Sequence, residues 1–317
     1  MADRETILRH LETSVDVDEW AVIGVKEEFE KLDKIEKIMK LSVIIPYYNG
    51  NNYIYDAIGS CHHPDMEIIV VDDCSPDPFT YHGNKSVKTI RLNNNVGQGI
   101  ARNAGLDAAK GEWVTFLDQD DKFLINLETF MELIPKQAQA VWTQCIWLEL
   151  SGKSTVYNED LALVHGKFYK RQWLIDNDIR FSDTCRWYED IYYCNLLMPY
   201  LEAKECARMD IPTYIWYQNE QQQTFTDDYN YQHFDCMIKA NFEVFLRHYK
   251  HKLIGKDQTI KIMQNFMYQA KNMLLAHKAE DKDAYNLNLL ENTAQKVAKA
   301  GLWNYSQLDA FFESLKK

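Results

Sequence analysis

Residues 116–123 read FLDQDDKF. Three carboxylates fall between Asp118 and Asp121, directly after the apolar run Trp113-Val114-Thr115-Phe116-Leu117. Side chains alternate along an extended chain, so Asp118 and Asp120 are expected to point the same way and to share one divalent cation. Hard cations such as Mg2+ and Mn2+ prefer oxygen ligands, and Mg2+ usually takes one or two carboxylates together with substrate phosphates. A D-x-D at a strand end therefore suggests a metal–diphosphate seat. The same turn, taken alone, is an ordinary acidic surface loop. An EF-hand is excluded: Lys122 and Phe123 occupy the fifth and sixth loop positions, and the sixth must be glycine.

What surrounds the turn decides between these readings. Upstream of it lie the β-rich runs 41–45 (LSVII), 67–71 (EIIVV) and 87–92 (VKTIRL), and 113–117 (WVTFL) leads directly into it. Three of the four are nearly continuous apolar, the pattern of strands buried on both faces of a parallel sheet. Helical spacing appears between them, at about 52–60 and at 97–109, where Ile100, Ala104 and Ala108 share a face. Alternating strands and helices at this pitch predict an α/β open sheet, whose ligands bind outside the carboxyl ends of the strands. Every exit is polar: Pro46-Tyr47-Tyr48-Asn49-Gly50, then Asp72-Asp73-Cys74-Ser75, then Asn93-Asn94-Asn95-Val96-Gly97, then the acidic turn. One such exit is loop chemistry; four on one rim predict a site. Further on, 140–150 reads as a strand and 186–201 as a helix led by acidic residues. Residues 1–40 and about 230–317 read as mostly helical.

Composition sets the outer bounds. A chain of 317 residues with 46% hydrophobic and 13% aromatic content can bury a sizeable core. Its net charge of −12 weighs against a surface built to grip nucleic acid. Seven scattered cysteines without a C-x-x-C predict reduced thiols rather than a disulfide frame or a zinc site. Residues 1–20 are charged throughout, without the apolar core of a secretory leader, and no run of 18 apolar residues occurs. The expectation is a cytoplasmic protein, peripheral at a membrane at most, without stable insertion.

Several other stretches have plainer readings. VGQGIARNAG (96–105) approaches a dinucleotide fingerprint, but Arg102 stands at the third glycine and the stretch follows the third strand. It reads instead as a helix start whose amides, with Arg102, could hold an anion. In RWYEDIYY (186–193), Glu189-Asp190 opens a helix, where acids suit the macrodipole; a general base is the functional alternative. His62-His63 lacks a third ligand at metal spacing, and Trp142, Trp147, Trp187 and Trp216 read as core. Ser75 lacks the G-x-S-x-G elbow of a hydrolase.

Taken in order, these pieces resemble the catalytic domain of glycosyltransferase family 2. The carrying motifs are Pro46-Tyr47-Tyr48-Asn49, Val71-Asp72-Asp73-Cys74-Ser75, Asn95-Val96-Gly97 with Ala101-Arg102-Asn103, Leu117-Asp118-Gln119-Asp120-Asp121, and Glu189-Asp190. The resemblance covers residues ~41–200 and implies the GT-A (nucleotide-diphospho-sugar transferase) fold, a mixed, mostly parallel sheet flanked by helices. The organisation expected is a helical extension at 1–40, a catalytic domain at 41–228 and a helical region at 229–317 for acceptor choice or assembly. The implied reaction is inverting transfer from a UDP-sugar, or another nucleotide sugar, to an acceptor hydroxyl. Pro46 and Tyr48 would line the base pocket, and Asp73 would accept a hydrogen bond from the uracil. Asn95 and Arg102 would border the base or diphosphate, and Asp118 would lie near the ribose. Asp120, with Asp118 and Asp121, would hold Mn2+ or Mg2+, and Asp190 would be the base, with Glu189 shaping the acceptor side. A glycan, teichoic acid, lipid-linked sugar, protein or modified nucleic-acid base all remain open as acceptor, and the helical ends could make a homo-oligomer. The rival readings are a nucleotidyltransferase, disfavoured because PYYNGNN lacks a basic residue, and an inactive nucleotide-sugar-binding module.

The chain departs from the family pattern in places. Gln119 replaces the small residue inside D-x-D and is expected to narrow the space beside the metal. Cys74 replaces a glycine, so that turn is expected to avoid a positive φ. Ser60-Cys61-His62-His63-Pro64 replaces a Leu-x-Gln-Thr segment. Gln221 to Gln223 stand where relatives place an arginine, which puts lid contacts to the diphosphate in doubt.

Overall fold

The computed structural model describes residues 39–218, apart from 51–52, 62–64, 84–85, 158–162, 187–188 and 203–204, together with Val244, Arg247, His248, Asn292, Gln295 and Lys299. The helical readings of 1–40 and of most of 229–317 lie outside the described residues, as do His62, His63, Trp187 and Gln221 to Gln223. The chain divides into two compact units, Met1–Met39 and Lys40–Lys317, and the strands and helices of the sheet all belong to the second.

The elements run β1 (Leu41–Tyr47), α1 (Ile54–Ser60), β2 (Met66–Asp72), β3 (Val87–Arg91), α2 (Gln98–Ala108), β4 (Trp113–Phe116) and β5 (Lys122–Phe123). They continue with α3 (Leu127–Leu133), β6 (Ala140–Leu148), β7 (Ser154–Tyr157), β8 (Lys167–Lys170), α4 (Arg171–Asp176), α5 (Glu189–Glu202) and β9 (Cys206–Tyr217). Among the described residues they build one mixed sheet in the order β3-β2-β1-β4-β8-β6-β9-β5, with β7 on β6. Its first four strands are parallel, as their apolar runs predict. Beyond β4 the sheet turns antiparallel through β8 and β6, and β9 then runs parallel to β6. The parallel character is thus confined to β3-β2-β1-β4 and the β6–β9 pair.

Every residue of β1, β2 and β4 is buried, because both faces of these strands are covered. Alternation sends Ile44, Ile69, Val71, Val114 and Phe116 to the face that carries α2 and α5. It sends Val43, Ile45, Ile68 and Val70 to the face of α1 and α3. β3 lies at the sheet edge, and its residues are exposed or half-buried and mix polar with apolar side chains. α2 lies close on β1: a Cβ on Gly105 would come within 2.3 Å of Ile44 Cγ2. That contact aims Arg102, one turn earlier on the helix, at the ends of the parallel strands. No helix among the described residues is long and apolar enough to cross a membrane.

Candidate active site

β4 delivers the acidic turn. Leu117 still donates its amide to the Ile44 carbonyl (3.0 Å), and the next residues close a turn by the Asp121 amide on the Asp118 carbonyl (3.1 Å). Strand alternation therefore ends at Leu117, and the expectation that Asp118 and Asp120 share a side for that reason is corrected. The ligand atoms that gather within 4.8 Å of one another belong to Asp118, Asp121 and His165. Asp120 is half-buried in the same turn.

Each group in that cluster has defined partners. Asp118 Oδ1 accepts from Arg102 Nη2 (2.7 Å), and Oδ2 pairs with His165 Nε2 (3.1 Å). Asp121 accepts from the Tyr214 hydroxyl (2.7 Å) and the Tyr217 amide (2.9 Å), so β9 pins the turn from the far side. The His165 ring stacks on Tyr214 at 4.7 Å. Burial would raise the Asp118 carboxyl, but Arg102 and His165 outweigh it and hold the group well below the usual carboxylate range. Burial opposes a cationic His165, yet its bonds to Asp118 and Cys145 and the nearby carboxylates push its pKa well up. Asp121 shifts the other way, raised by burial and by Asp118 and Asp120 despite His165. These donors, oxygens and an imidazole, suit a divalent cation such as Mn2+.

Arg102 lies beneath the turn. It is 1% exposed, and both terminal nitrogens are spent: Nη1 on Glu189 (3.2 Å) and Asp190 (2.8 Å), Nη2 on Asp118 (2.7 Å) and Gln98 (2.9 Å). The resemblance implies a contact to base or diphosphate. The guanidinium instead faces three carboxylates from two different elements, which raises its pKa against the cost of its burial. Glu189 and Asp190 open α5, as the acidic start of that helix predicts. Burial and then the charge of Asp190 push the Glu189 carboxyl up to about 7, against the pull of Arg102.

The other strand exits surround this centre. Asp73 accepts from the amides of Val96 (2.8 Å) and Gly97 (2.7 Å), joining the β2 exit to the start of α2. Gly97 needs its missing side chain there, because its φ is +98°. Asp72 ties the turn after β2 by accepting from the amides of Ser75 (2.8 Å) and Phe79 (3.1 Å) and from Arg91. Within that turn Cys74 has φ +62°, which corrects the expectation of a negative φ. A left-handed residue with a Cβ costs roughly 1–2 kcal/mol, and the bonds from the Ser75 and Phe79 amides to Asp72, which span Cys74, offset that cost. Asn95 accepts from Arg186. Pro46 is buried inside β1 opposite Val71, while Tyr48, just past the strand, is 46% exposed.

Gln119 does not merely crowd the turn. Its Oε1 accepts from the Tyr48 amide (2.9 Å) and its Nε2 donates to the Tyr48 carbonyl (3.3 Å), so the β1 exit and the acidic turn are joined side by side. His165 is the member of the centre that no sequence signal announces. It precedes β8 outside any recognisable motif, and only β8 and β9 bring it to Asp118.

The glycosyl transferase family 2 profile matches residues 42–193, the segment that holds these motif residues and His165. Residues 42–193, just under half of the chain, thus form a glycosyl transferase family 2 domain. It is 30% identical over 207 residues to the poly(ribitol-phosphate) beta-N-acetylglucosaminyltransferase TarS of Staphylococcus aureus, covering 56% of this chain and 35% of TarS. The chain thus spans about a third of that relative's length. The succinoglycan biosynthesis protein ExoO of Rhizobium meliloti is 26% identical over 277 residues, 76% of this chain and 77% of ExoO. The crystal structure of S. aureus TarS 1–349 in complex with UDP-GlcNAc superposes with a TM-score of 0.63 at 23% identity, covering 81% of both chains, which establishes the GT-A fold. The family 2 motifs recognised in the sequence therefore stand at the exits of β1, β2, β3 and β4 and at the start of α5.

Proposed function

We propose that this chain transfers a sugar, with inversion, from a nucleotide sugar to an acceptor hydroxyl, and that the donor is UDP-linked. The observation that carries the reading is the single buried guanidinium of Arg102, which links Asp118 on the donor side to Glu189 and Asp190 on the acceptor side. In this reading Tyr48, Pro46, Asp73 and Asn95 border the nucleoside, and Asp118 lies at the ribose. Asp120, with Asp118 and Asp121 and with His165 alongside, would hold Mn2+ or Mg2+. A cation there would neutralise the charge that develops on the departing diphosphate. Asp190 takes the proton of the acceptor hydroxyl at a carboxylate oxygen as the new glycosidic bond forms. Arg102 holds that carboxylate in place, and the raised pKa of Glu189 limits the negative charge crowded beside it.

UDP-GlcNAc in the TarS complex and the family 2 match over residues 42–193 support the donor class. The names of the relatives point to poly(ribitol-phosphate) and to succinoglycan precursors as the first acceptors to try. The test is slow hydrolysis of a set of nucleotide sugars with Mn2+ or with chelator, read as released nucleotide. Release of UDP from one UDP-sugar, lost in chelator, is expected. Cleavage of none of them, or of GDP- or CMP-sugars only, would overturn the donor assignment.

A further inference from the structure

We infer that Gln119 is a positioning residue for nucleotide binding: its side-chain amide clamps the main chain of Tyr48 and so fixes the exposed ring of Tyr48 as a wall for the nucleobase. The inference rests on the donor reading above and adds to it a residue that departs from the family pattern.

The geometry is that of a short β-bridge made by a side chain. One amide group satisfies both the N–H (2.9 Å) and the C=O (3.3 Å) of a single residue across 71 positions of sequence. The pairing fixes which end of the amide is oxygen, since the Tyr48 N–H can only donate. One further contact and a turn conformation hold the same loop. The Asn49 amide donates to Ser75 Oγ (3.0 Å), and Asn49 takes φ +50°, a conformation asparagine tolerates better than most residues. Gly50 leaves the room that Gln119 occupies: a Cβ there would lie 2.4 Å from Gln119 Cδ and 2.5 Å from each of the two amide heteroatoms. Sequence and packing thus agree at two positions, a glycine that makes space and a glutamine that fills it.

Consequence follows from exposure. Tyr48 is 46% exposed on a loop that has already left the sheet, so little packing sets where its ring lies. A ring that must be immobilised by its ligand costs affinity, whereas one held beforehand does not. Gln119 takes over that task and also couples Tyr48 to Asp118 and Asp120, its chain neighbours in the acidic turn. Placement of the base and placement of the diphosphate are then linked through one side chain.

The experiment measures the affinity of the full chain for UDP in Mn2+, with melting in the absence of UDP as the control for folding. Gln119→Ala should weaken UDP about tenfold, the size expected for losing two neutral hydrogen bonds that preorganise a contact. Gly50→Ala, which pushes the amide aside without removing it, should weaken UDP by a similar factor. Tyr48→Ala should also weaken UDP, and the Tyr48→Ala, Gln119→Ala pair should be no worse than Tyr48→Ala alone, because Gln119 acts through that ring. UDP affinity unchanged in Gln119→Ala would overturn the inference, as would losses that simply multiply in the double variant. Failure of the unaltered protein to bind UDP would instead overturn the donor reading, and the inference with it.

Discussion

Arg102 concentrates the chemistry of this centre into one side chain. A planar guanidinium can serve several carboxylates at fixed angles, which an ammonium group cannot. Removing it leaves Asp118, Glu189 and Asp190 facing one another without the cation they share, and breaking such a buried ion-pair set costs about 3–5 kcal/mol. Arg102→Met should therefore lower the urea midpoint markedly and abolish donor turnover. Arg102→Lys should recover part of the stability but little of the activity, because a point charge cannot keep both sides of the site in register. Equal stability of Arg102→Met and the parent protein would mean that the carboxylates find other partners. Asp190 separates from this structural duty. Asp190→Asn keeps the shape and an oxygen facing Arg102 but cannot take up a proton. UDP affinity should stay within about twofold of the parent while transfer falls by ~10²–10⁴. Unimpaired transfer by this variant would remove Asp190 from the role of base.

At the scale of elements, legibility follows burial. β1, β2 and β4 can be read because both faces are covered, which forces nearly continuous apolar runs such as Leu41 to Ile45 and Glu67 to Val71. α2 can be read from its periodicity and α5 from its acidic start. β5 cannot: two residues, Lys122 and Phe123, become a strand only by pairing with Ile215 and Tyr214, some ninety positions away. β8 and most of β9 escape for the same reason, since β9 carries Asp210 and Pro212 and is held by its partners. His165 escapes with them, because it becomes part of the site only through its place beside β8 and against Tyr214. At Cys74 residue type gives the wrong sign of φ, and the bonds that the Asp72 carboxylate accepts decide the turn. Close helix–strand approach makes its own prediction. Gly105→Ala would set a methyl group 2.3 Å from Ile44 Cγ2 in the middle of a covered sheet face. Overpacking of that kind costs about 1–3 kcal/mol. The variant should unfold at lower urea, and its activity should fall as α2 moves Arg102. A midpoint equal to that of the parent would show that α2 can shift without strain.

Across the whole molecule, β2 is anchored at both ends by ionised carboxylates, and this sets its response to acid. Glu67 near the start of the strand is fully buried. It accepts from Ser42 Oγ on β1 (2.7 Å), from the Lys110 amide ahead of β4 (2.5 Å) and from Lys88 on β3. Asp72 at the other end ties its own turn to Arg91 of β3. Burial would raise both carboxyls, but these donors outweigh it and leave each below its ordinary value. A carboxyl whose folded pKa is depressed contributes stability above its unfolded pKa, and that contribution disappears as pH falls through the folded pKa. Stability should thus hold down to about pH 4–5, the unfolded range of Glu and Asp, and decline steeply below it. Glu67→Gln removes the charge that Lys88 and the two other donors serve, at a cost of about 2–3 kcal/mol near neutrality. It should also flatten the acid limb, because one of the two titrating anchors is gone. Urea midpoints for the parent and the variant from pH 7 to pH 3 check both statements. The two curves should converge towards the acid end, where Glu67 is protonated in the parent as well. Curves that run parallel across the whole range would show that Glu67 does not carry the acid sensitivity, leaving it to Asp72 and the other carboxylates.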